Sequence, residues 1–430
     1  MAEKRVLVVG TTADYIEIIG RRFPGRALFL TDRRERSSST PYSPPKPEFE
    51  IPVDFADEEA VFKNLEIHLK KLTIRLSGIA CFDCESMLLT AAVAERYSLP
   101  YPSIRAVAAC RNKYLSRTLW QRDSIPTPAF SLVRREAEAA AFFRKLGRPA
   151  VIKPVCGSGS ELVFLCRDED SCRRAVAVIK NRLGSRRNCR MYDRFRRDEE
   201  ILDPRENFLI EALLEGVEYS CDFVLDGERI EIIRFSRKIP AKADFFGTVL
   251  AYYLPAEFPE SAEPDMLPDI LRRSARALGL KRAICMTDFI VSGNQIFLLE
   301  MTPRPGGDCL PALELASAGF DILGFTLDFA EANSGTVPKR NAWRPRAGIH
   351  LLAPAPGTVK RISAAAISSD PRVEQCVLTA GPGHRVRFPP ADYDSRRLGY
   401  AVFVPSALEF LEEESRELAS RLEIELETES

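Results

Sequence analysis

The sequence predicts a multidomain protein that combines the α/β and α+β classes. Over the first 100 residues, apolar strand-like runs alternate with helical stretches, which predicts a parallel sheet covered by helices. From residue 208 onward strand-like runs dominate, which predicts a second, mixed sheet. A chain of 430 residues is also longer than one hydrophobic core usually serves, so we expect two or more domains.

The N-terminal region, residues 1–102, is predicted to be one α/β domain. Its predicted strands are 5–10, 27–31 and 78–82, and its predicted helices are 15–22 and 88–97. Residues 33–48 are polar and rich in proline, which predicts a loop. Gly10-Thr-Thr lacks the G-x-G-x-x-G pattern, so this opening does not indicate a dinucleotide-binding domain.

The middle of the chain, residues 103–330, is predicted to be a further domain, with a smaller subdomain at about 124–206. Ser103 and Asn112 are placed to cap two short helices, of which the second is stopped by Ile125-Pro-Thr-Pro128. A compact unit of helix 136–146, strand 149–153, loop 157–160, strand 161–165 and helix 171–182 follows. Residues 184–206 are dense in charge of both signs and predict a solvated, mobile connection.

The remaining elements are predicted from turn and periodicity signals. Asp226-Gly227 indicates one hairpin, and 284–301 indicates another, with Ser292-Gly-Asn294 as its loop. Predicted helices are 269–278, 310–318, 322–332 and 406–422. We expect residues 331–430 to pack on the preceding domain as a C-terminal segment, whose role the sequence leaves open.

Composition excludes several classes of function. The chain is 45% hydrophobic and 28% charged, with a formal net charge of zero, so neither nucleic acid nor an anionic membrane is an expected partner. No apolar run is long enough to span a membrane, and the start of the chain resembles a first strand rather than a signal peptide. We therefore expect a cytoplasmic protein that acts on small molecules. The oligomeric state stays open, with a homodimer as one candidate.

Cysteines and histidines point away from metal clusters and from histidine catalysis. Eleven cysteines are scattered without a disulfide spacing, and we expect them to be reduced. Cys81-Phe-Asp-Cys84 has no second pair at zinc-finger spacing. Only three histidines occur and none lies in the motifs below, so histidine acid–base chemistry is not expected.

A lysine and a glycine loop form the first chemical motif. Lys153 ends an apolar strand, where a buried ammonium needs an anionic partner. Gly157-Ser-Gly-Ser160 follows, and small residues let backbone N–H groups approach phosphate oxygens. The pattern is neither a P-loop, which needs G-x-x-x-x-G-K, nor a kinase, in which the glycine loop precedes the lysine.

Two acidic residues on one hairpin form the second motif. With a three-residue loop at 292–294, Asp288 faces Leu298 and lies diagonally from Glu300 on the same face, at roughly 7–8 Å. Two carboxylates so placed can share Mg²⁺, and Thr302 on that face can add a hydroxyl. A two-residue loop would put the two carboxylates on opposite faces and remove the site.

Arg304, between two prolines and before Gly306 and Gly307, forms the third motif. A guanidinium and bare backbone N–H groups suit a bound anion. Glu211 and Glu218 flank an apolar strand end and gain significance only from their order along the chain.

In this order the motifs resemble the ATP-grasp superfamily, specifically its carboxylate–amine ligases, over nearly the whole chain. That resemblance implies an ATP-grasp fold with an N-terminal parallel α/β domain, a small lid domain and a mixed-sheet C-terminal catalytic domain. It implies ATP phosphate contacts for Lys113, Lys153 and a flap at Gly157, Ser158, Gly159 and Ser160. Adenine contacts are implied for Glu211, Leu214, Ile290 and Leu299, and ribose contact for Glu218. Asp288, Glu300 and Thr302 match magnesium positions, although the family usually has Asn at the last.

The resemblance also implies a reaction. ATP, with two Mg²⁺ ions, phosphorylates a substrate carboxylate, and an amine then displaces phosphate to give an amide. Arg304 matches the arginine that stabilises the acyl phosphate, Lys153 is its catalytic partner, and the R-P-G-G run at Gly306 and Gly307 resembles amino-acid ligases. Arg237 or Lys238 is a candidate for holding an anionic substrate. Two alternatives stay open: a non-catalytic Mg-ATP-binding protein, and a carboxylase-type enzyme acting on bicarbonate.

Overall fold

The computed structural model describes residues 3–38, 45–185, 190–192, 195–197, 200–241, 245–259, 266–333 and 335–427. Its strands are β1 (Glu3–Val9), β2 (Ala27–Asp32), β3 (Glu50–Val53), β4 (Ile74–Ala80), β5 (Phe130–Val133), β6 (Ala150–Pro154), β7 (Phe164–Cys166), β8 (Phe195–Arg197), β9 (Glu200–Leu202), β10 (Phe208–Ala212), β11 (Val217–Asp226), β12 (Arg229–Pro240), β13 (Val249–Leu254), β14 (Arg282–Ser292), β15 (Gln295–Thr302), β16 (Arg346–Leu352), β17 (Gly357–Ser363), β18 (Val373–Leu378), β19 (Arg385–Val386), β20 (Arg397–Phe403) and β21 (Glu423–Glu427). Its helices are α1 (Ala13–Arg22), α2 (Arg33–Ser38), α3 (Glu58–Lys71), α4 (Met87–Tyr97), α5 (Ile104–Arg111), α6 (Lys113–Arg122), α7 (Glu136–Leu146), α8 (Glu169–Gly184), α9 (Met266–Ala277), α10 (Leu310–Ala318), α11 (Ile322–Ala330), α12 (Ala365–Ser368) and α13 (Leu411–Ser420).

The N-terminal sheet is parallel, as the sequence predicted. Its strand order is β3-β2-β1-β4, and every pairing in it is parallel. Along β1, Val6 and Val8 pack into one hydrophobic cluster while Leu7 and Val9 pack into another. Both faces of the sheet are therefore covered, which explains why β1 is an unbroken apolar run.

The predicted loop at 33–48 is wrong at residues 33–38 and is confirmed at residues 45–48. Residues 33–38 form helix α2, while 39–44 lie outside the described residues. The sequence analysis also missed β3 and helix α3, which begins where the Asp57 side chain accepts a hydrogen bond from the Ala60 N–H. A short amphipathic strand between two polar stretches gives too few residues for a periodic signal.

The second sheet carries the predicted glycine loop. It is antiparallel, with the order β5-β10-β6-β7, and helices α7 and α8 pack beside it. The predicted solvated connection at 184–206 is wrong where it is described, because Met191 and Tyr192 are buried in this core. The predicted caps are confirmed: Ser103 and Asn112 accept hydrogen bonds from the first turns of α5 and α6.

The large sheet has eight strands in the order β15-β14-β11-β12-β13-β16-β20-β18, and all its pairings are antiparallel. One face carries a stack of aromatic rings, in which Tyr219 lies 4.8 Å from Phe235 and 5.5 Å from Phe289 between centroids. Alternation along the strands places Glu218, Lys238 and Asp288 on the other face. That polar face forms one wall of the candidate site.

The C-terminal segment contributes to this same sheet through β16, β20 and β18. It also forms a three-stranded sheet in the order β19-β17-β21. The last helix is shorter than predicted, and the final strand β21 was not predicted. Among the described residues no single helix is long and apolar enough to cross a membrane, although α10 and α11 pass that test jointly with a bend of 101°.

Candidate functional site

A cavity of about 830 Å³ lies between the second sheet, with its glycine loop, and the polar face of the large sheet. Most of the residues singled out in the sequence border it: Lys113, Lys153, Gly157, Ser158, Gly159, Ser160, Glu211, Leu214, Glu218, Arg237, Lys238, Asp288, Ile290, Leu299, Glu300, Arg304 and Gly307. Thr302 and Gly306 are not among the lining residues. Motifs separated by up to 194 positions thus meet at one site.

Lys153 is held by a carboxylate in the cavity wall. Its ammonium donates to one oxygen of Glu211, and the Arg117 Nε donates to the other oxygen at 3.0 Å. All three side chains are buried. Although burial favours the neutral acid, the two cations outweigh it and lower the pKa of Glu211 to about 2. Burial lowers the pKa of Lys153, with Glu211 opposing that change.

Lys113 links the glycine loop to the acidic hairpin. Its ammonium donates to the Gly157 carbonyl at 2.8 Å and lies 3.4 Å from the Glu300 carboxylate. The position follows from the helix start, because Asn112 caps α6 and the Lys113 N–H donates to the Val155 carbonyl. One lysine therefore contacts two of the three predicted motifs.

The hairpin of β14 and β15 reaches the predicted arrangement by a different route. Its turn has two residues, since Ser292 pairs with Gln295, so the predicted three-residue loop is wrong. Such a turn alone would place the two carboxylates on opposite faces. A β-bulge corrects this: Phe289 pairs with Leu298 but Asp288 pairs with Glu300, which leaves Leu299 as the extra residue.

Asp288 and Glu300 are consequently direct partners rather than the predicted diagonal pair. Directly opposite side chains are closer than the roughly 7–8 Å of a diagonal pair. Burial raises the pKa of Asp288. The pKa of Glu300 is lowered: burial opposes its ionised form, but Lys113, Lys238 and Arg304 favour it more strongly.

Lys238 occupies the space beside these carboxylates. Its ammonium lies 2.8 Å from Asp288 and makes a short contact with Glu218. Burial acts against its charge, but the two acids raise the pKa of Lys238 well above its usual value. Its neighbour Arg237 pairs across the sheet with Tyr219. Of the two candidate cations, Lys238 is therefore buried beside the carboxylates, whereas Arg237 is exposed.

The segment after β15 divides into two parts. The Arg304 guanidinium lies 3.0 Å from the Cys84 sulfur and donates to the Pro305 carbonyl, and Gly307 follows on the cavity wall. The Gly306 N–H instead donates to a buried Asp222 oxygen at 2.9 Å. A Cβ at Gly306 would lie 2.4 Å from the Arg234 guanidinium, so this position needs glycine for packing.

Thr302 is turned toward the sheet. Its hydroxyl lies 3.5 Å from the Met286 carbonyl, which pairs with it in the register, and its side chain is buried. By contrast, Leu214, Ile290 and Leu299 all border the cavity. Gly216 permits this, because a Cβ there would lie 2.1 Å from the Val291 carbonyl and would separate the 213–217 backbone from β14.

The sequence analysis missed the C-terminal wall of the cavity. Tyr252, Asp308, His350, Arg396 and Arg397 border it, and they come from four different segments. Asp308, directly after the R-P-G-G run, was the one with a local signal. The structure thus brings a histidine to the cavity, although none lies in the predicted motifs.

His350 and Asp308 face one another at this wall. His350 Nδ1 lies 3.0 Å from the Val249 carbonyl, which can only accept, so Nδ1 carries the proton. Its Nε2 lies 3.9 Å from an Asp308 oxygen, and burial lowers the pKa of His350. The other Asp308 oxygen accepts from Arg397 at 2.6 Å.

Comparison with protein families and solved structures establishes the class of protein. Residues 146–312 match the ATP-grasp domain model, and residues 349–427 match the L-amino acid ligase C-terminal domain 2 model. An L-amino acid ligase structure from Bacillus licheniformis superposes with a TM-score of 0.78 over 100% of both chains at 19% identity. N5-carboxyaminoimidazole ribonucleotide synthetase from Thermotoga maritima gives 0.65 at 14% identity, over 99% of this chain and 100% of that one. The fold is therefore an ATP-grasp fold.

Curated relatives agree with this class. A D-alanine--D-alanine ligase of Neisseria meningitidis is 25% identical over 217 residues, which are 49% of this chain and 64% of that protein. An uncharacterized protein, y4rH, of Sinorhizobium fredii is 26% identical over 316 residues, 73% of this chain and 60% of that protein. The chain spans about three fifths of the length of these relatives. The chain is thus similar to ATP-grasp ligases, and its residues 146–312 match the ATP-grasp domain.

Proposed function

We propose that the protein is an ATP-dependent ligase that joins a carboxylate to an amine through an acyl phosphate, with amino-acid-like substrates. The observation that carries this proposal is the pairing of Asp288 with Glu300 across the hairpin, with Lys113 3.4 Å from Glu300. Acidic ligands, a phosphate-binding cation and Arg304 then border one cavity. The L-amino acid ligase domain matched at residues 349–427 supports amino-acid-like substrates.

The donor set on the hairpin fits magnesium. Asp288 and Glu300 supply hard carboxylate oxygens, and Mg²⁺ usually takes only one or two carboxylates besides water and substrate phosphates. No group of three or more His, Cys, Asp or Glu that could hold a metal occurs among the residues the structure covers, which agrees with a site completed by ATP. Magnesium bound there neutralises charge on the phosphates.

The protein's own cations have separate tasks in this proposal. Lys153 and Lys113 bind the phosphate chain, with the backbone N–H groups of 157–160 above it. Arg304 binds the substrate carboxylate and then stabilises charge on the acyl phosphate. Lys238 neutralises negative charge on Asp288 and Glu218. This lowers the repulsion that a phosphate or a second anion meets when it approaches them.

The first step, transfer of the γ-phosphoryl group to the carboxylate, needs no acid–base group. A substrate carboxylate oxygen attacks the γ-phosphorus, and the bond to the β-phosphate oxygen breaks to release ADP. The amine then attacks the acyl carbon, the C–O bond to phosphate breaks, and the proton lost by the amine goes to the released phosphate. Positioning and charge neutralisation carry most of the rate enhancement in such transfers.

Release of ADP with pairs of amino acids tests this proposal. Wild type should release ADP and phosphate only when both a carboxylate and an amine are present. Glu300→Gln should lower kcat by at least about 100-fold, because a ligand for charge neutralisation is lost. The matched control is Glu228→Gln, an exposed glutamate on the β11–β12 turn, which should turn over like wild type. Full turnover in Glu300→Gln would contradict the assignment.

A non-catalytic Mg-ATP-binding protein on this fold is the second candidate. Thr302 favours it, because its hydroxyl faces the Met286 carbonyl rather than the cavity and so leaves two hairpin ligands instead of three. Calorimetric binding of Mg-ATP without ADP release across the substrate panel would select this candidate. ADP release that needs bicarbonate but no amine would instead select a carboxylase-type enzyme.

A further inference from the structure

Arg396 is a buried cation at the C-terminal wall of the cavity, and it has no acidic partner among the residues that the structure describes. It directly precedes β20, is 7% exposed and borders the cavity. Its Nη2 donates to the Thr248 hydroxyl, and its guanidinium carbon lies 5.1 Å from the Phe245 ring centroid. Within the described part of the chain its Nε has no hydrogen-bond partner, and it forms no ion pair.

The neighbouring charges explain why Arg396 is left unpaired. Two arginines and two aspartates meet here, but Arg397 takes both acids: it lies 2.6 Å from Asp308 and makes a short contact with Asp394. The group is neutral as a whole, but Arg396 is left without a carboxylate in direct contact among the described residues. Burial and the nearby Arg397 lower the pKa of Arg396, as expected for a guanidinium without a counter-ion.

Such an arrangement is costly in the absence of an anion. An arginine cannot escape the cost of burial by losing its proton, since its pKa stays above about 12 in proteins. Removing a charge from water without a partner is unfavourable, because the lost hydration is not replaced. A bound carboxylate would offset this cost, because it matches the guanidinium in a two-pronged hydrogen bond.

The location relates Arg396 to the reaction. Asp308 follows Gly307 on the wall that carries Arg304, and its partner Arg397 is the next residue after Arg396. Arg304 and Arg396 thus both border the cavity, and the Asp308–Arg397 ion pair joins the chain segments that carry them. The aromatic ring of Phe245, held edge-on by Phe388 at 5.6 Å, closes the side of the Arg396 site.

We propose that Arg396 binds a second substrate carboxylate, distinct from the one that is phosphorylated. This deepens the proposed function and rests on it: the ligase joins substrates that together carry at least two carboxylates. The second carboxylate comes either from an amino acid that serves as the amine or from an acidic side chain on the acyl substrate.

Steady-state kinetics of Arg396→Gln test this proposal. For the substrate that carries the second carboxylate, KM should rise about 10- to 100-fold, the value of a charge-assisted hydrogen bond, while KM for ATP stays unchanged. If that carboxylate belongs to the amine, replacing L-alanine by L-alaninamide should abolish the difference between variant and wild type. If it belongs to the acyl substrate, replacing L-aspartate by L-asparagine should do so. Equal KM values in variant and wild type for every substrate would overturn the proposal.

Two further variants separate binding from folding. Arg387→Gln removes an exposed arginine of the same segment and should leave all KM values as in wild type. Arg396→Lys keeps the charge and should recover part of the lost affinity. The unfolding midpoint of Arg396→Gln without substrates should equal or exceed that of wild type, because an uncompensated charge is gone. Should Arg396→Gln fail to fold, the same kinetic comparison is made with Arg396→Lys, whose KM should rise by a smaller factor.

A measurement without turnover distinguishes this proposal from the proposed function. At constant ionic strength, sodium acetate should raise the unfolding midpoint of wild type relative to sodium chloride. The same replacement should not raise the midpoint of Arg396→Gln. If no substrate pair is turned over, the proposed function fails, and this comparison alone decides whether Arg396 is a carboxylate site. An equal acetate effect in both proteins would then reject the site.

Discussion

Replacing Glu211 by glutamine tests the buried charges that hold Lys153, the lysine proposed to bind phosphate. The Glu211 carboxylate joins Lys153 and Arg117, and both of its oxygens are used. Glutamine keeps the shape of the side chain but removes the charge, so two buried cations lose their counter-ion. The expected result is a large loss of stability with no change of fold.

The magnitude follows from the pKa. The Glu211 pKa lies at about 2 against an ordinary value of 4.5, which corresponds to about 3 kcal/mol of stability at neutral pH. Breaking a buried pair by removing one partner typically costs about 3–5 kcal/mol, which agrees. For a folding unit of about 150–250 residues, such a loss lowers the melting temperature by about 6–12 °C.

The stability that Glu211 contributes should fall as the pH is lowered. A carboxyl whose folded-state pKa is depressed adds stability that is fully present above its unfolded pKa and is lost as pH falls toward the folded pKa. The difference between wild type and Glu211→Gln should therefore be largest near pH 7 and should shrink between about pH 4.5 and 2.

Urea unfolding at several pH values is the assay. The control is Glu206→Gln, an exposed glutamate paired with Lys180 at 3.0 Å, which should change stability by less than about 1 kcal/mol. A loss under about 1 kcal/mol for Glu211→Gln at pH 7 would refute the reasoning. A loss that stays constant down to pH 3 would refute it as well.

Two further predictions concern the hairpin and the segment after it. Exchanging Leu299 and Glu300 places the carboxylate at the extra position of the bulge and a leucine opposite Asp288, so magnesium-dependent ATP binding in calorimetry should disappear, whereas Gln295→Ala, at an exposed position of the same hairpin, should retain it; binding in the exchanged variant would contradict the register argument. Gly306→Ala places a Cβ 2.4 Å from the Arg234 guanidinium and should lower the urea unfolding free energy by about 1–3 kcal/mol. At Gly307 the nearest atom would be 3.9 Å away, so Gly307→Ala should cost less than about 0.5 kcal/mol; equal losses at both positions would refute the packing argument.

Local signals predicted much of the fold. The β1 pattern, unbroken and apolar, predicted a parallel sheet covered on both faces, and the structure confirms it. Ser103 and Asn112 were predicted as caps because their side chains can accept from the following turn, and they do. These features depend on a few adjacent residues, so the sequence alone contains them.

In the hairpin, one feature was predicted wrongly and a second, unpredicted feature cancels its effect on the position of Glu300. The loop length was predicted wrongly by one residue, and a bulge at Leu299 shifts the register by one residue in compensation. Each of the two features turns Glu300 to the other face of its strand, so together they leave it on the predicted face. The sequence does not distinguish the two arrangements, because residues 296–299 are all apolar and either alternating pair could face the core; the structure buries Ile296 and Leu298.

The C-terminal wall was beyond prediction for another reason. Arg396, His350 and Tyr252 meet only because β13, β16 and β20 are neighbours in one sheet. Such pairing is set by the whole fold rather than by adjacent residues. The roles of Lys113, Lys153, Arg304 and the hairpin carboxylates stay predictions that rest on their common cavity.

Oxygen transfer from the substrate carboxylate tests the central claim most directly. With both carboxylate oxygens of the acyl substrate labelled with ¹⁸O, an acyl phosphate leaves one labelled oxygen on the phosphate that the amine displaces. The account predicts one ¹⁸O atom in each inorganic phosphate, formed together with ADP. Unlabelled phosphate alongside amide product would contradict it.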